Sequence, residues 1–270
     1  MTVDTGATAW VIVATALVLF MTPGLAFFYG GMVRRKNVLG MLMQNVFAMG
    51  LISVLWAVIG FSLAFGGSGG FIGNLDFVGL KGLAASTGLP GYVGDFALII
   101  PPVLFMGYQM MFAIITPALI TGSTADRMKF GAYAVLIGVW SVLVYPIVAH
   151  WVFSPNGWLF KLGALDFAGG AVVHINAGAA AMATIIVLGA RRGWNHDPMP
   201  PHNLPFTVLG TGILWFGWIG FNAGSALAAN GLTAQAVVNT HLAAAAALCG
   251  VAVVLLVSWG VHRAVTAPAG

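Results

Sequence analysis

The sequence predicts an all-α polytopic membrane protein, a single transmembrane domain over residues 1–270 with about seven membrane-crossing helices. Three observations predict it. First, 60% of the 270 residues are hydrophobic and 6% are charged, too few charges to cover a water-facing surface of this size. Second, seven apolar segments reach the roughly 20 residues that span a bilayer as helix, and open strands would leave backbone groups unpaired in lipid. Third, the connectors between these segments alternate in charge. The chain contains no glutamate, and its six acids are Asp4, Asp76, Asp95, Asp126, Asp166 and Asp197. The net charge of +4 is too small and too scattered for a phosphate-tracking surface, so no nucleic-acid partner is expected. Cys249 is the single cysteine, which excludes an internal disulfide and a multi-cysteine metal site. No cofactor and no metal are expected.

The expected spans are 7–30, 38–65, 96–121, 130–152, 169–190, 204–228 and 237–261. The first apolar run, Ala7 to Phe28, is too long for the core of a signal peptide and reads as the first span. "RRKN" follows it, "DRMK" follows the third span, "RRGWNHD" the fifth and "HR" the seventh; together they hold eight of the ten positive residues. Lys81 and Lys161 follow the second and fourth. The positive-inside rule therefore places the N-terminus outside and the C-terminus in the cytoplasm of a multi-pass cell-membrane protein, in contact with lipid. The Gly-rich connector from Gly66 to Gly94 begins "GGSGG" and is expected to pack over the outer face.

Two ionisable groups stand in the apolar stretch "LDFAGGAVVHINAGAAAM". Asp166, just before the fifth span, reads as a helix cap whose charge also favours a nearby cation. His174, inside the span, is a pathway candidate, because an ionisable residue in a membrane helix is costly unless it serves a function. Were the helix continuous, the two would be about 12 Å apart along its axis. No second histidine lies three or four positions from His174, as a metal site on this helix would require. His150 is expected at the outer end of the fourth span, reaching water, and His241 at the start of the seventh; His196, His202 and His262 fall on the cytoplasmic side. Tyr108 and Phe112 are four residues apart and stack on one helix face, as do Trp218, Phe221 and Ser225 on neighbouring turns. Aromatic faces hold a partly desolvated cation, and a serine hydroxyl accepts from one. Ser225 and His174 are a conceivable nucleophile and base by residue type, but no paired acid or metal spacing supports catalysis, and the chain is not expected to be an enzyme.

The stretches "TPGLAFFYGGMVRRKNVL", "YQMMFAIITPALITG", "GALDFAGGAVVHINAG", "PHNLPFTVLGTGILWFGWIGFNAGSALAAN" and "VNTHLAAAA" together resemble the Amt/Mep/Rh ammonium transporter family, its Amt branch most closely. The resemblance implies ammonium or ammonia as substrate and a homotrimer with one pore per subunit. It also implies an outer recognition site, a double aromatic gate and an apolar lumen lined by two histidines. Carried over by position, Tyr108, Phe153 and Ser225 correspond to the substrate-binding site and Phe112 and Phe221 to the gate. His174 corresponds to the first pore histidine, and Asp166 to the aspartate supporting the site. Phe153 stands where the family commonly has tryptophan, a stronger cation–π partner. The family usually has eleven spans in an inverted repeat, so the resemblance implies an incomplete, C-terminally truncated bundle without the second histidine. The alternative it leaves is a non-transporting member acting as an ammonium sensor or interaction partner. On either reading the cytoplasmic connectors could bind a regulatory protein.

Overall fold

The computed structural model describes residues 2–266 and contains seven helices long and apolar enough to cross a membrane, with no strand among the described residues. In order, the spans are Thr5–Met32, Arg35–Phe65, Pro102–Thr124, Phe130–Lys161, Gly170–Leu188, Leu204–Gly224 and Gly231–Trp259. The expected cytoplasmic end, residues 267–270, lies outside the described residues.

Proline and capping side chains set the ends. The Asp4 carboxylate accepts from the Ala7 N–H at 2.6 Å and starts the first span. Pro102 occupies the first turn of the third span, where its missing N–H costs nothing. Residues 96–101, expected to be helical, instead form a short 3-10 turn and an extended approach. The fourth span breaks at Val144, because Pro146 donates no N–H and its ring crowds the carbonyl one turn earlier. The sixth span ends at Gly224 rather than 228, with Ser225 as its cap. The seventh begins at Gly231, so His241 lies well inside it, its ring 5.4 Å from Trp215.

The third span is the most enclosed and packs against the first, second and fifth. The first and sixth spans meet along much of their length through small residues, which let membrane helices approach closely. A Cβ at Gly220 would stand 2.6 Å from the Leu17 Cβ and 2.9 Å from the Ala14 carbonyl oxygen. Alanine gains about 1 kcal/mol over glycine in a free helix, but here the obstacle is a neighbouring backbone. Gly220→Ala is therefore expected to destabilise the protein by roughly 1–3 kcal/mol, read as a lower thermal midpoint in detergent. No residue in the most apolar stretch of the seventh span is buried.

The basic connectors meet at one end of the bundle. The Arg34 guanidinium pairs with the Asp126 carboxylate at 2.9 Å and its Nη2 donates to the Arg192 carbonyl at 3.5 Å. Asn37 donates to the same carboxylate from its side-chain amide.

At the other end, the stretch beginning "GGSGG" is strapped down by donors from the end of the fourth span. Asn156 donates to the Gly67 carbonyl at 3.1 Å, the Trp158 N–H to Gly70 at 3.0 Å and the Trp151 indole to Phe71 at 2.7 Å. His150 sits at the centre, with Nδ1 2.7 Å from the Ala64 carbonyl oxygen and Nε2 2.7 Å from that of Gly69. It does not reach water, as the sequence suggested, but is fully buried. Its partners are backbone carbonyls brought to it by the fold. His150→Ala leaves the carbonyl that accepts the ring N–H without its donor, at about 1–3 kcal/mol for a buried unsatisfied group. The expected result is faster amide exchange over residues 62–74.

Candidate functional site

The fifth span opens with an unusual turn. Its first six residues, Gly170–Ile175, wind as π-helix. Asp166 folds back over this turn and saturates it. Oδ1 accepts from the N–H groups of Gly169 and Gly170 at 2.6 and 2.7 Å, and Oδ2 from those of Ala171 and Val172 at 2.9 and 3.0 Å. Gly169 permits the fold-back: its φ is 109°, and a Cβ there would lie 2.9 Å from the Val173 side chain. The carboxylate thus reaches an N–H only two residues before His174, closer than a continuous helix allows. With two bonds on each oxygen it has no free lone-pair site for a ligand, but it cancels the positive end of the helix.

Asp166 borders a cavity of about 570 Å³, also lined by Asp95, Gln109, Phe112, Phe153 and Ser225. No lysine or arginine lines it. The sixth span ends here, so its C-terminal carbonyls add partial negative charge. Tyr92 lies on the same wall and donates its hydroxyl to the Phe153 carbonyl at 3.1 Å. Burial pushes the Tyr92 phenol above its ordinary range, which keeps it neutral.

Tyr108, expected as a wall of the outer site, takes a different place. It is fully buried and stands behind the cavity, because its hydroxyl is drawn to the end of the sixth span. That oxygen lies 2.9 Å from the Gly220 carbonyl, 3.0 Å from that of Phe221 and 3.2 Å from Ser225 Oγ. Ser225 donates to the Phe221 carbonyl at 2.8 Å. With that proton spent inward, the hydroxyl can offer a lone pair to the cavity, and Tyr108 holds it in place.

The floor is aromatic. The rings of Phe112 and Phe221 are 4.4 Å apart at 33°, both almost wholly buried. Tyr108 packs edgewise on Phe112 at 4.9 Å, and Phe153 faces Phe112 at 6.4 Å. Past the pair, the His174 ring lies 5.8 Å from Phe221 and stacks on Trp218 at 5.6 Å and 13°. No hydrogen bond of its imidazole is found among the described residues. Trp218 in turn lines a second, mostly apolar cavity of about 590 Å³ with Leu25, Phe28, Leu119, Leu214 and Asn222. His174 borders neither cavity itself; it packs against Phe221, which lines neither, and against Trp218, which lines the apolar one.

The structure thus brings Phe112, Phe153, Asp166, Ser225 and Phe221 together at one cavity and its floor, with His174 one layer deeper. Sequence reasoning missed Gln109 and Asp95 on the cavity wall. Gln109 carried a signal, an amide in the middle of an apolar helix. Asp95 carried none, since it lies on an irregular connector.

The profile described as "Ammonium Transporter Family" matches residues 9–266. An ammonium transporter of Mycobacterium bovis is 52% identical over 265 residues, covering 92% of this chain and 56% of its own length. The crystal structure of the G343C mutant of Candida albicans Mep2 superposes with a TM-score of 0.82 at 35% identity, covering 90% of this chain and 53% of that one. A solved structure described as a sensor Amt protein has a TM-score of 0.81 at 32% identity, covering 93% of this chain and 62% of its own. The chain spans little more than half the length of the first two.

Proposed function

This chain belongs to the ammonium transporter family, and we propose that it moves ammonium nitrogen across a membrane by capturing the cation, removing a proton and passing neutral ammonia. One observation carries the reading: the cavity bordered by Phe153 and Ser225 is floored by the paired rings of Phe112 and Phe221, and the His174 imidazole packs against Phe221.

The physics follows from the residues. A bare monovalent cation entering an apolar passage loses hydration worth many kcal/mol. Ammonium has an escape that potassium lacks, because one N–H bond can break and leave ammonia behind. In the outer cavity the faces of Phe112 and Phe153 and the Ser225 oxygen hold the ion, while Asp95, Asp166 and the sixth-span carbonyls favour its charge. Phe112 and Phe221 exclude water. The proton leaves to water in the outer cavity and ammonia passes beyond the rings, where the His174 imidazole orients it by hydrogen bonding and takes part in the proton's path. The apolar inner cavity offers a potassium ion nothing in exchange for its water.

On this reading the protein is a single transmembrane domain in the cell membrane, with its N-terminus outside and its C-terminus in the cytoplasm. The charge pattern of the connectors supports that orientation. The family resemblance supports a homotrimer and a regulatory protein docking on the basic end. The test is uptake of ammonium or methylammonium by a transport-deficient cell expressing this chain. Saturable uptake is expected; inserted, folded protein that binds ammonium without flux would instead favour the second reading, a sensor, which the resemblance to the sensor Amt structure supports.

Phe153 sets the strength of capture. A cation–π contact is worth roughly 0.5–1 kcal/mol at an exposed site and is strongest with indole. Phe153→Trp gains part of that and is therefore expected to lower the half-saturation concentration by up to about twofold and leave the maximal rate unchanged.

A further inference from the structure

We infer that Gln109 is a further ligand and specificity determinant of the outer site, its amide oxygen accepting a hydrogen bond from the bound cation. The inference rests on the capture step proposed above and adds a residue and a substrate criterion to it.

Gln109 follows Tyr108 on the third span and lies one turn before Phe112. It lines the outer cavity with Phe112, Phe153 and Ser225, and only 7% of it is exposed. Its Oε1 is buried without a hydrogen-bond partner, and no hydrogen bond of its amide is found among the described residues. A buried amide left unpaired is costly, so such groups are rare unless a ligand or water completes them. The other two buried amides, Gln44 and Asn45, each make at least one hydrogen bond, although Asn45 Oδ1 is itself unpaired. Gln44 accepts from the Thr124 hydroxyl at 3.1 Å, and Asn45 donates to the Met41 carbonyl at 2.9 Å. Gln109 is uncommitted, at a cavity whose other groups suit a small cation.

The chemistry selects the ligand. An ammonium ion is tetrahedral and carries four N–H donors. The aromatic rings meet it through their faces, and Ser225 takes one N–H bond. Gln109 supplies a second directional acceptor, which gives no advantage to an ammonium ion whose N–H groups are all replaced by methyl. Half a turn of the terminal torsion exchanges its oxygen and nitrogen, which leaves the oxygen free to face the cavity. The site then discriminates by the count of N–H donors: ammonium binds best, methylammonium less well, and tetramethylammonium gains nothing from this residue.

The test is equilibrium binding to the full chain, purified into lipid nanodiscs and followed by tryptophan fluorescence. The titrants are ammonium, methylammonium, tetramethylammonium and potassium chlorides. Gln109→Leu is expected to weaken ammonium binding about tenfold, the equivalent of one ordinary hydrogen bond, and to leave tetramethylammonium binding unchanged. An equal loss for both cations, or no loss for either, overturns the inference, because a structural role does not distinguish ligands by their N–H groups. Gln109→Glu keeps the shape of the side chain and serves where the leucine variant does not fold. It is expected to tighten potassium binding at least tenfold, since it replaces a neutral acceptor with a charged one. Unchanged potassium binding by a folded glutamate variant places residue 109 away from the ion and overturns the inference. A wild-type chain with no saturable response to ammonium overturns the capture site itself, and Gln109 with it; normal wild-type binding with an indifferent leucine variant overturns Gln109 alone.

Discussion

Asp166→Asn is expected to loosen the start of the fifth span and abolish ammonium capture together. The carboxylate accepts four backbone N–H bonds between 2.6 and 3.0 Å, two on each oxygen. Asparagine keeps one acceptor oxygen and puts an NH2 group in place of the other, so two N–H donors of the turn face a donor. A hydrogen bond to a charged partner contributes about 1.5–3 kcal/mol. The loss of two, at a half-buried position, is on the order of 3 kcal/mol. The electrostatic consequence is of the same size. Without the carboxylate, the N-terminus of the helix presents about half a positive charge to the cavity, where a cation should sit. Thermal unfolding and amide exchange over 169–173 report the first effect, and ammonium titration of the folded fraction reports the second. An asparagine variant with normal protection and normal binding would remove Asp166 from both roles.

Much of this arrangement was legible in the sequence because an ionisable or amide group in a membrane helix has few innocent explanations. Asp166 and His174 stood out for that reason. The spans themselves were visible from length and apolarity, but their ends were not, because a segment apolar on all sides carries no periodicity. Pro102 and Pro146, rather than hydropathy, decided where the third span begins and the fourth breaks. The i, i+4 spacing predicts that Tyr108 stacks on Phe112, as it does, while its place as a wall of the outer site is what the family resemblance implies; neither reveals what lies opposite. The end of the sixth span does, and it turns Tyr108 from a wall into a brace for Ser225. His150 was invisible in the same way: its partners are carbonyls at the end of the second span and in the Gly-rich stretch after it, more than 80 residues away in sequence. Gln109 was in plain view but overshadowed by the aromatic pair that flanks it.

His174→Ala is expected to separate binding from transport. The ring packs against Phe221 behind the cavity floor, stacked on Trp218, and holds no hydrogen bond within the described residues. Its two nitrogens are therefore available to whatever passes the rings. Removing it leaves Phe153, Ser225 and Gln109 on the outer cavity untouched, so the ammonium dissociation constant should change by less than about twofold, well under the worth of one hydrogen bond. Flux is a different matter. A positioned acid–base group contributes roughly 10²–10⁴-fold to a proton transfer, and ammonia past the gate meets mostly apolar surface once the imidazole is gone. Uptake should fall by at least about a hundredfold on that scale, with normal protein levels and near-normal capture. Asp166→Asn, by contrast, removes capture first. Uptake that persists in a folded His174→Ala chain would mean that the nitrogen does not travel past this ring, and the division of labour between outer cavity, gate and imidazole would have to be redrawn.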